Sequence, residues 1–251
     1  MRRKAIIMGM PVVVSIVDDF AKGNDIDEVF SYLRGIDERF STYNDRSEMT
    51  KINLGFIDAF HYSSEMKEIL SLSEQTKIET NGFFNIERNF KIDPSGIVKG
   101  YAITKAAYKL RKKGYSNFYI EIAGDIEVAG HNNKNEKWSV GIQNPFNTDE
   151  IIKIVKVTNC GIATSGNYRN GLHIYDPKSG IVVDEIKSMS IIGKSAYDAD
   201  RFATAAFAMG EKGLEFIEKK AGLEGFMVTS DHRGHMTSGF DKFQIHKHDI
   251  N

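Results

Sequence analysis

Along residues 25–40, Val29, Phe30, Leu33, Ile36 and Phe40 fall on one helical face with charged residues opposite. That three-to-four spacing predicts a helix lying on a core. A second helical stretch starts at Ser63 or Ser64 and runs to about Lys77, before the Asn81-Gly82 turn signal, and Ser47 is placed to cap a short helix through Ile52. A third covers 97–113, entered from the Asp93-Pro94-Ser95-Gly96 turn and left at Gly114, where a left-handed cap belongs. Ser195 opens another helix, with Asp198 three residues on as in a capping box and Gly210 at its end, and 213–221 add a short one. Between these the period shortens. Residues 5–17, with Gly9 and Pro11 and many valines, predict a first strand, and 118–122, 126–128, 138–142, 151–157, 172–175 and 188–192 are short β-like runs. The runs 226–229 and 235–237, joined by Ser230-Asp231-His232-Arg233-Gly234, predict a terminal hairpin. Strands cluster in the middle of the chain without regular alternation, so the fold class is α+β, with mixed sheets and helices.

Composition narrows the picture. At 251 residues with 41% apolar residues and only 4 prolines, the chain is expected to form one compact domain over 1–251. Lys and Arg number 33 against 34 acidic residues, so there is no global field for a polyanion and nucleic acid is not an expected partner. The short basic run Arg111-Lys112-Lys113 fits a last helical turn, where cations meet the negative end of the dipole. A single cysteine, Cys160, excludes an internal disulfide and any multi-cysteine metal site, and its strand-like surroundings predict a buried, inert thiol. Met1-Arg2-Arg3-Lys4 before an apolar stretch imitates a signal peptide, but Gly9, Pro11 and the closing Asp18-Asp19 favour a strand. No apolar run reaches the 18 or more residues of a transmembrane segment.

Neither a phosphate loop ending in Gly-Lys-Ser/Thr nor a Gly-x-Gly-x-x-Gly is present, so a nucleotide would be held by another device. Four local patterns offer one. In Asp93-Pro94-Ser95-Gly96-Ile97-Val98-Lys99-Gly100, an acid, a turn and a helix start coincide, with Lys99 as a cation near free N–H groups. The same spacing also describes a plain capped helix. Asp200 and Thr204, four apart on one helical face, project a carboxylate and a hydroxyl together, hard oxygens of the kind Mg²⁺ accepts beside phosphates. A Thr bonding back to its own helix is the ordinary alternative. His173 precedes an Asp176-Pro177 turn and could serve as a general base, though a histidine is more ordinarily a surface or hydrogen-bonded structural residue. Ala163-Thr164-Ser165-Gly166-Asn167-Tyr168-Arg169 is small and polar, suited to close approach to a ligand but equally to an ordinary turn.

Together these patterns resemble the FAD:protein FMN transferases, the ApbE family. The match runs through Met8-Gly9-Met10, Phe40-Ser41-Thr42-Tyr43 with Ser47-Glu48 and Asn53, Asn81-Gly82-Phe83-Phe84-Asn85 and 93–102. It continues through Ala123-Gly124-Asp125, Ala163-Thr164-Ser165-Gly166, 173–180, and 199–204 with Met209-Gly210. The resemblance implies an α+β body with a flavin cleft between its parts. It implies Mg²⁺ held by Asp200, Thr204 and the backbone carbonyl of Gly96, and FAD contacts from Met8, Tyr43, Phe83, Phe84, Asn85, Asp93 and Lys99. Asp200 and His173 would be catalytic, His173 as the histidine of a His-x-x-Asp-Pro motif. The implied reaction passes FMN from FAD to a Thr or Ser hydroxyl of an acceptor flavoprotein and releases AMP. An FAD pyrophosphatase, or a carrier that leaves FAD intact, is the alternative on the same site. Two departures stand out. The family's usual Ala-Phe-Asp is Phe83-Phe84-Asn85 here, and its Asp-x-Gly-Gly turn is Asp93-Pro94-Ser95-Gly96, which keeps the glycine at the carbonyl position. No lipobox cysteine stands near the start, which points to the cytoplasm or to an exported protein trimmed of its leader.

Overall fold

In the computed structural model, which describes residues 1–167 and 174–244, the amino-terminal apolar stretch is a hairpin instead of one strand. β1 (Arg2–Ile7) and β2 (Met10–Ile16) pair antiparallel with Ile7 opposite Met10. Met8 (φ 58°) and Gly9 (φ 67°) form the turn. Two positive φ values match the twist of a two-residue hairpin, and Met at the first of them is uncommon enough to hide the turn in the sequence.

The helical predictions hold with small shifts. α1 (Gly23–Phe40) buries the predicted face and adds Ile26. α2 (Glu48–Asn53) is capped by Ser47, whose Oγ accepts from the Thr50 N–H at 2.9 Å. α3 (Ser64–Glu79) is capped by Ser63 and ends before left-handed Asn81 and Gly82. A small hairpin follows that periodicity cannot reveal, because its strands β3 (Glu87–Arg88) and β4 (Lys91–Ile92) have two residues each. α4 (Ser95–Lys112) ends at left-handed Gly114.

β5 (Phe118–Ile122) and β6 (Asp125–Ala129) turn through Ala123 and Gly124, both at positive φ. β7 (Trp138–Asn144) and β8 (Asn147–Val157) form a separate hairpin, and β9 (Cys160–Gly166) and β10 (Ile186–Gly193) follow. The segment 163–166, expected as a turn, is therefore strand, because its small residues face α5 closely. α5 (Ala196–Ala208), α6 (Lys212–Glu218), β11 (Glu224–Thr229) and β12 (Gly234–Met236) complete the described chain. Of the expected strand 172–175, residues 172 and 173 lie outside the described residues, and Tyr175 makes one antiparallel bridge to Val182.

Eight strands form one sheet in the order β1-β2-β5-β6-β9-β10-β11-β12. Every described pairing is antiparallel, where the sequence predicts mixed sheets; the α+β class stands. One face carries α1, α4 and α5; the other carries β7 and β8, whose Val140, Ile142, Val155 and Val157 pack on Ile126 and Val128. All five residues of β6 are buried as a result. Since strand side chains alternate, Asp125 and Glu127 point opposite to Ile126 and Val128, into the helical layer. Cys160 is buried, and desolvation pushes its thiol up to about 12, as an inert cysteine requires. No helix among the described residues is long and apolar enough to cross a membrane.

Candidate active site

α5 carries Ala199, Ala203, Ala205 and Ala206, all buried, and these small side chains let it approach its neighbours closely. Against it lies α4, and Gly100 sits at the contact. A Cβ on Gly100 would stand 2.5 Å from the Ala196 carbonyl oxygen and 2.6 Å from Asp200 Cβ, so only glycine fits. The Gly100 N–H donates to Asp200 Oδ2 at 2.7 Å, across 100 residues of chain. Gly100→Ala should force the helices apart, costing about 2 kcal/mol by overpacking. Urea unfolding measures that loss.

One turn earlier on α4 and one turn later on α5, Thr204 Oγ1 lies 3.4 Å from the Gly96 carbonyl oxygen and 3.3 Å from Ser165 Oγ. Both distances exceed the usual O–H···O range, so hydroxyl and carbonyl stand side by side without a tight bond between them. Phe84 closes this corner: a Cβ on Gly96 would meet Thr204 Cγ2 at 3.0 Å and Phe84 Cε2 at 3.4 Å. Asp200, Thr204, Gly96 and Phe84 are thus brought together by the fold.

Lys99 joins them indirectly. Its ammonium pairs with Asp125 Oδ2 at 2.8 Å, and Asp125 Oδ1 accepts from the Thr164 N–H at 3.2 Å. Asp125 is 2% exposed and Asp200 4%. Burial pushes the Asp200 carboxyl above the usual carboxylate range and the nearby Asp125 adds to that push, while Lys99 and the Gly100 N–H oppose it. Two buried carboxyl groups therefore lie near one ammonium, beside the half-buried Gly96, Ser165 and Thr204.

The donor set can be tested against a cation. Among the described residues no group of three or more His, Cys, Asp or Glu side chains converges. A carboxylate, a hydroxyl and a carbonyl are hard oxygens, and so few protein ligands suit Mg²⁺, which keeps waters and substrate phosphate oxygens in its shell. The residues present fit that group.

The remaining expected residues make their contacts elsewhere. Asp93 is exposed and its Oδ1 accepts from the Ser95 N–H at 3.0 Å; the helix N-cap is Pro94, so Asp93 closes the preceding turn instead of capping the helix. Met8 N–H donates to Asp37 Oδ2 at 3.0 Å. Tyr43 is 97% exposed. The Phe83 ring lies under the Lys178 ammonium, 4.1 Å from its centroid, and Asn85 Oδ1 accepts from the Glu87 N–H at 3.2 Å. His173 lies outside the described residues. Sequence reasoning offered 163–169 for close approach to a ligand without singling out Thr164 or Ser165, and it missed Asp125 as a member of the cluster. The signal for Asp125 was a left-handed turn, Ala123-Gly124, feeding an acid into a strand.

An antiparallel sheet whose helical layer holds a partly buried oxygen cluster with one lysine defines an α+β protein with a candidate divalent-cation site. The chain belongs to the ApbE family, whose profile matches residues 8–89 and 86–227. A relative from Haemophilus influenzae named FAD:protein FMN transferase is 30% identical over 165 residues, covering 61% of this chain and 47% of that protein. One of the same name from Treponema pallidum is 27% identical over 172 residues, 61% of this chain and 48% of the relative. The chain spans about half the length of the curated relatives it matches. The flavin transferase ApbE from Vibrio cholerae superposes with a TM-score of 0.84 at 21% identity, over 97% of this chain and 98% of the other. The ApbE protein from Thermotoga maritima does so at 0.84 and 21%, over 98% and 99%. These likenesses show a shared fold.

Proposed function

We propose that this chain, as a single domain, is a flavinyltransferase that cleaves FAD at its pyrophosphate and passes FMN to a Thr or Ser hydroxyl of an acceptor protein, releasing AMP. The observation that carries the reading is the Gly96 carbonyl beside the Thr204 hydroxyl, one helical turn from the buried Asp200 carboxyl group. Relatives named FAD:protein FMN transferase support it.

In this reading Asp200, Thr204 and the Gly96 carbonyl hold Mg²⁺. When bound, the ion supplies positive charge against the pyrophosphate oxygens and so favours the transition state of phosphoryl transfer. The Gly100 N–H fixes one Asp200 oxygen and leaves the other to face the ion. Lys99 is held at the mouth of the site by Asp125, positioned to meet a phosphate. Phe84 supplies an apolar wall of the corner, while Met8, Tyr43, Phe83, Asn85 and Asp93 contribute to the flavin nucleotide's cleft. The acceptor oxygen forms its bond to the FMN phosphorus as the bond to the bridging oxygen breaks, the electron pair leaving on AMP. His173 takes the acceptor proton.

The test is incubation of FAD and Mg²⁺ with the protein, with and without a protein bearing an exposed Thr, followed by mass detection. AMP together with an FMN mass gain on the acceptor is the expected result. Free FMN and AMP whatever the acceptor would make the chain a pyrophosphatase, and intact FAD would make it a carrier.

A further inference from the structure

The α4–α5 contact is an antiparallel ladder of positions four apart. Gly96, Gly100 and Thr104 follow one another along a face of α4, and Thr204, Asp200 and Ala196 run the opposite way along α5. The rungs are observed contacts: Gly96 with Thr204, Gly100 with Asp200 and Ala196, and Thr104 with the start of α5. The candidate cation oxygens occupy one end of this ladder. At the other end stands a carboxylate that the proposed chemistry does not use.

Glu127, on β6, is 1% exposed. Its Oε2 accepts from the Ala196 N–H at 3.0 Å and from Thr104 Oγ1 at 2.7 Å; its Oε1 accepts from Arg111 Nη1 at 2.9 Å. Thr104 Oγ1 in turn accepts from the Tyr197 N–H at 3.0 Å, and Ser195 Oγ takes the Asp198 N–H at 3.1 Å. A helix usually answers its first free amides with its own cap. Here two of three are answered by side chains from β6 and α4. The bonds therefore specify where α5 begins relative to α4, in addition to capping it.

A buried, charged anchor is a poor device for stability alone, since apolar packing of equal volume does as well, and its best-attested use is to specify register. Register matters at the far end. A slip of one residue moves a helix by about 1.5 Å along its axis. That would carry Thr204 past the Gly96 carbonyl and Asp200 past the Gly100 N–H.

We propose that Glu127, acting through Thr104 and the Ala196 amide, is a positioning residue that sets the α4–α5 register and thereby the spacing of the Gly96, Asp200 and Thr204 oxygens. It rests on the cation-site reading given above. The test uses the full chain and Mn²⁺ as a spectroscopic stand-in for Mg²⁺ at an oxygen site, titrated by EPR of the free ion, with unfolding temperatures measured in EDTA. Glu127→Ala and Thr104→Val should weaken Mn²⁺ binding between about 2- and 30-fold, the usual range for a coupled but non-ligating residue. Thr104→Ser, which keeps the hydroxyl, should restore it. Arg111→Met removes the partner of Oε1 but leaves both α5 amides answered, so it should lower the unfolding temperature and leave Mn²⁺ affinity at the wild-type value.

If Thr104→Val binds Mn²⁺ as wild type does, or if affinity merely follows unfolding temperature across the variants, the positioning role is wrong and the cation site stands. Should Glu127→Ala fail to fold, the Thr104→Val and Thr104→Ser pair decides alone. Wild-type protein that takes up no Mn²⁺ would overturn the cation reading and this proposal with it.

Discussion

Asp200→Asn should lower FAD turnover by on the order of 1,000-fold, the scale of losing one centrally placed electrostatic contributor to a transition state. The variant keeps the shape of the side chain and an oxygen for the Gly100 N–H, whose 2.7 Å bond does not require charge. What it removes is the charged carboxylate that a divalent cation binds. In the absence of cation that carboxylate is a burden, because burial and Asp125 both disfavour its ionised form. The unfolding temperature of Asp200→Asn in EDTA should therefore be no lower than that of the wild type, and added Mg²⁺ should stabilise the wild type only. Loss of activity with lost stability would instead mark Asp200 as a structural residue. Turnover close to wild type would remove it from the site altogether.

Lys99→Met should have the largest effect on stability, about 3 kcal/mol, because it strands the Asp125 carboxylate, 2% exposed, without its cation. Urea unfolding of Lys99→Met and of Lys99→Met combined with Asp125→Asn separates the causes. If the cost comes from an uncompensated buried charge, removing that charge in the double variant should return much of it. A loss that persists in the double variant would mean that the Lys99 stem, and not its charge, is what the site requires. In the variant that folds, the KM for FAD should rise if the ammonium also meets a phosphate.

Much of the scaffold was legible in the sequence because it depends on local rules. α1 showed its apolar face from Val29 to Phe40 by spacing alone, Ser47 and Ser195 announced the helices they cap, and Gly114 the end of α4. The terminal hairpin of β11 and β12 followed from its turn residues. The first hairpin did not, since Met8 adopts a left-handed conformation that its residue type rarely takes. β3 and β4 are too short for any period to show.

The site divides in the same way. Asp200 and Thr204 were visible as a pair, because four residues along a helix are neighbours whatever the fold, and Gly96 was visible as a turn before a helix. That Thr204 lies beside Gly96, 108 positions away, was decided only by how closely α4 packs on α5, which rests on a missing Cβ at Gly100. Asp125 and Glu127 alternate with Ile126 and Val128, a pattern that in an isolated strand leaves the acids on a wet face. Only the tertiary structure, by laying α4 and α5 over that face of β6, removed the water and turned two surface acids into a buried ion pair and a helix anchor. Periodicity reports which side of an element is polar; what covers that side is a property of the assembled chain.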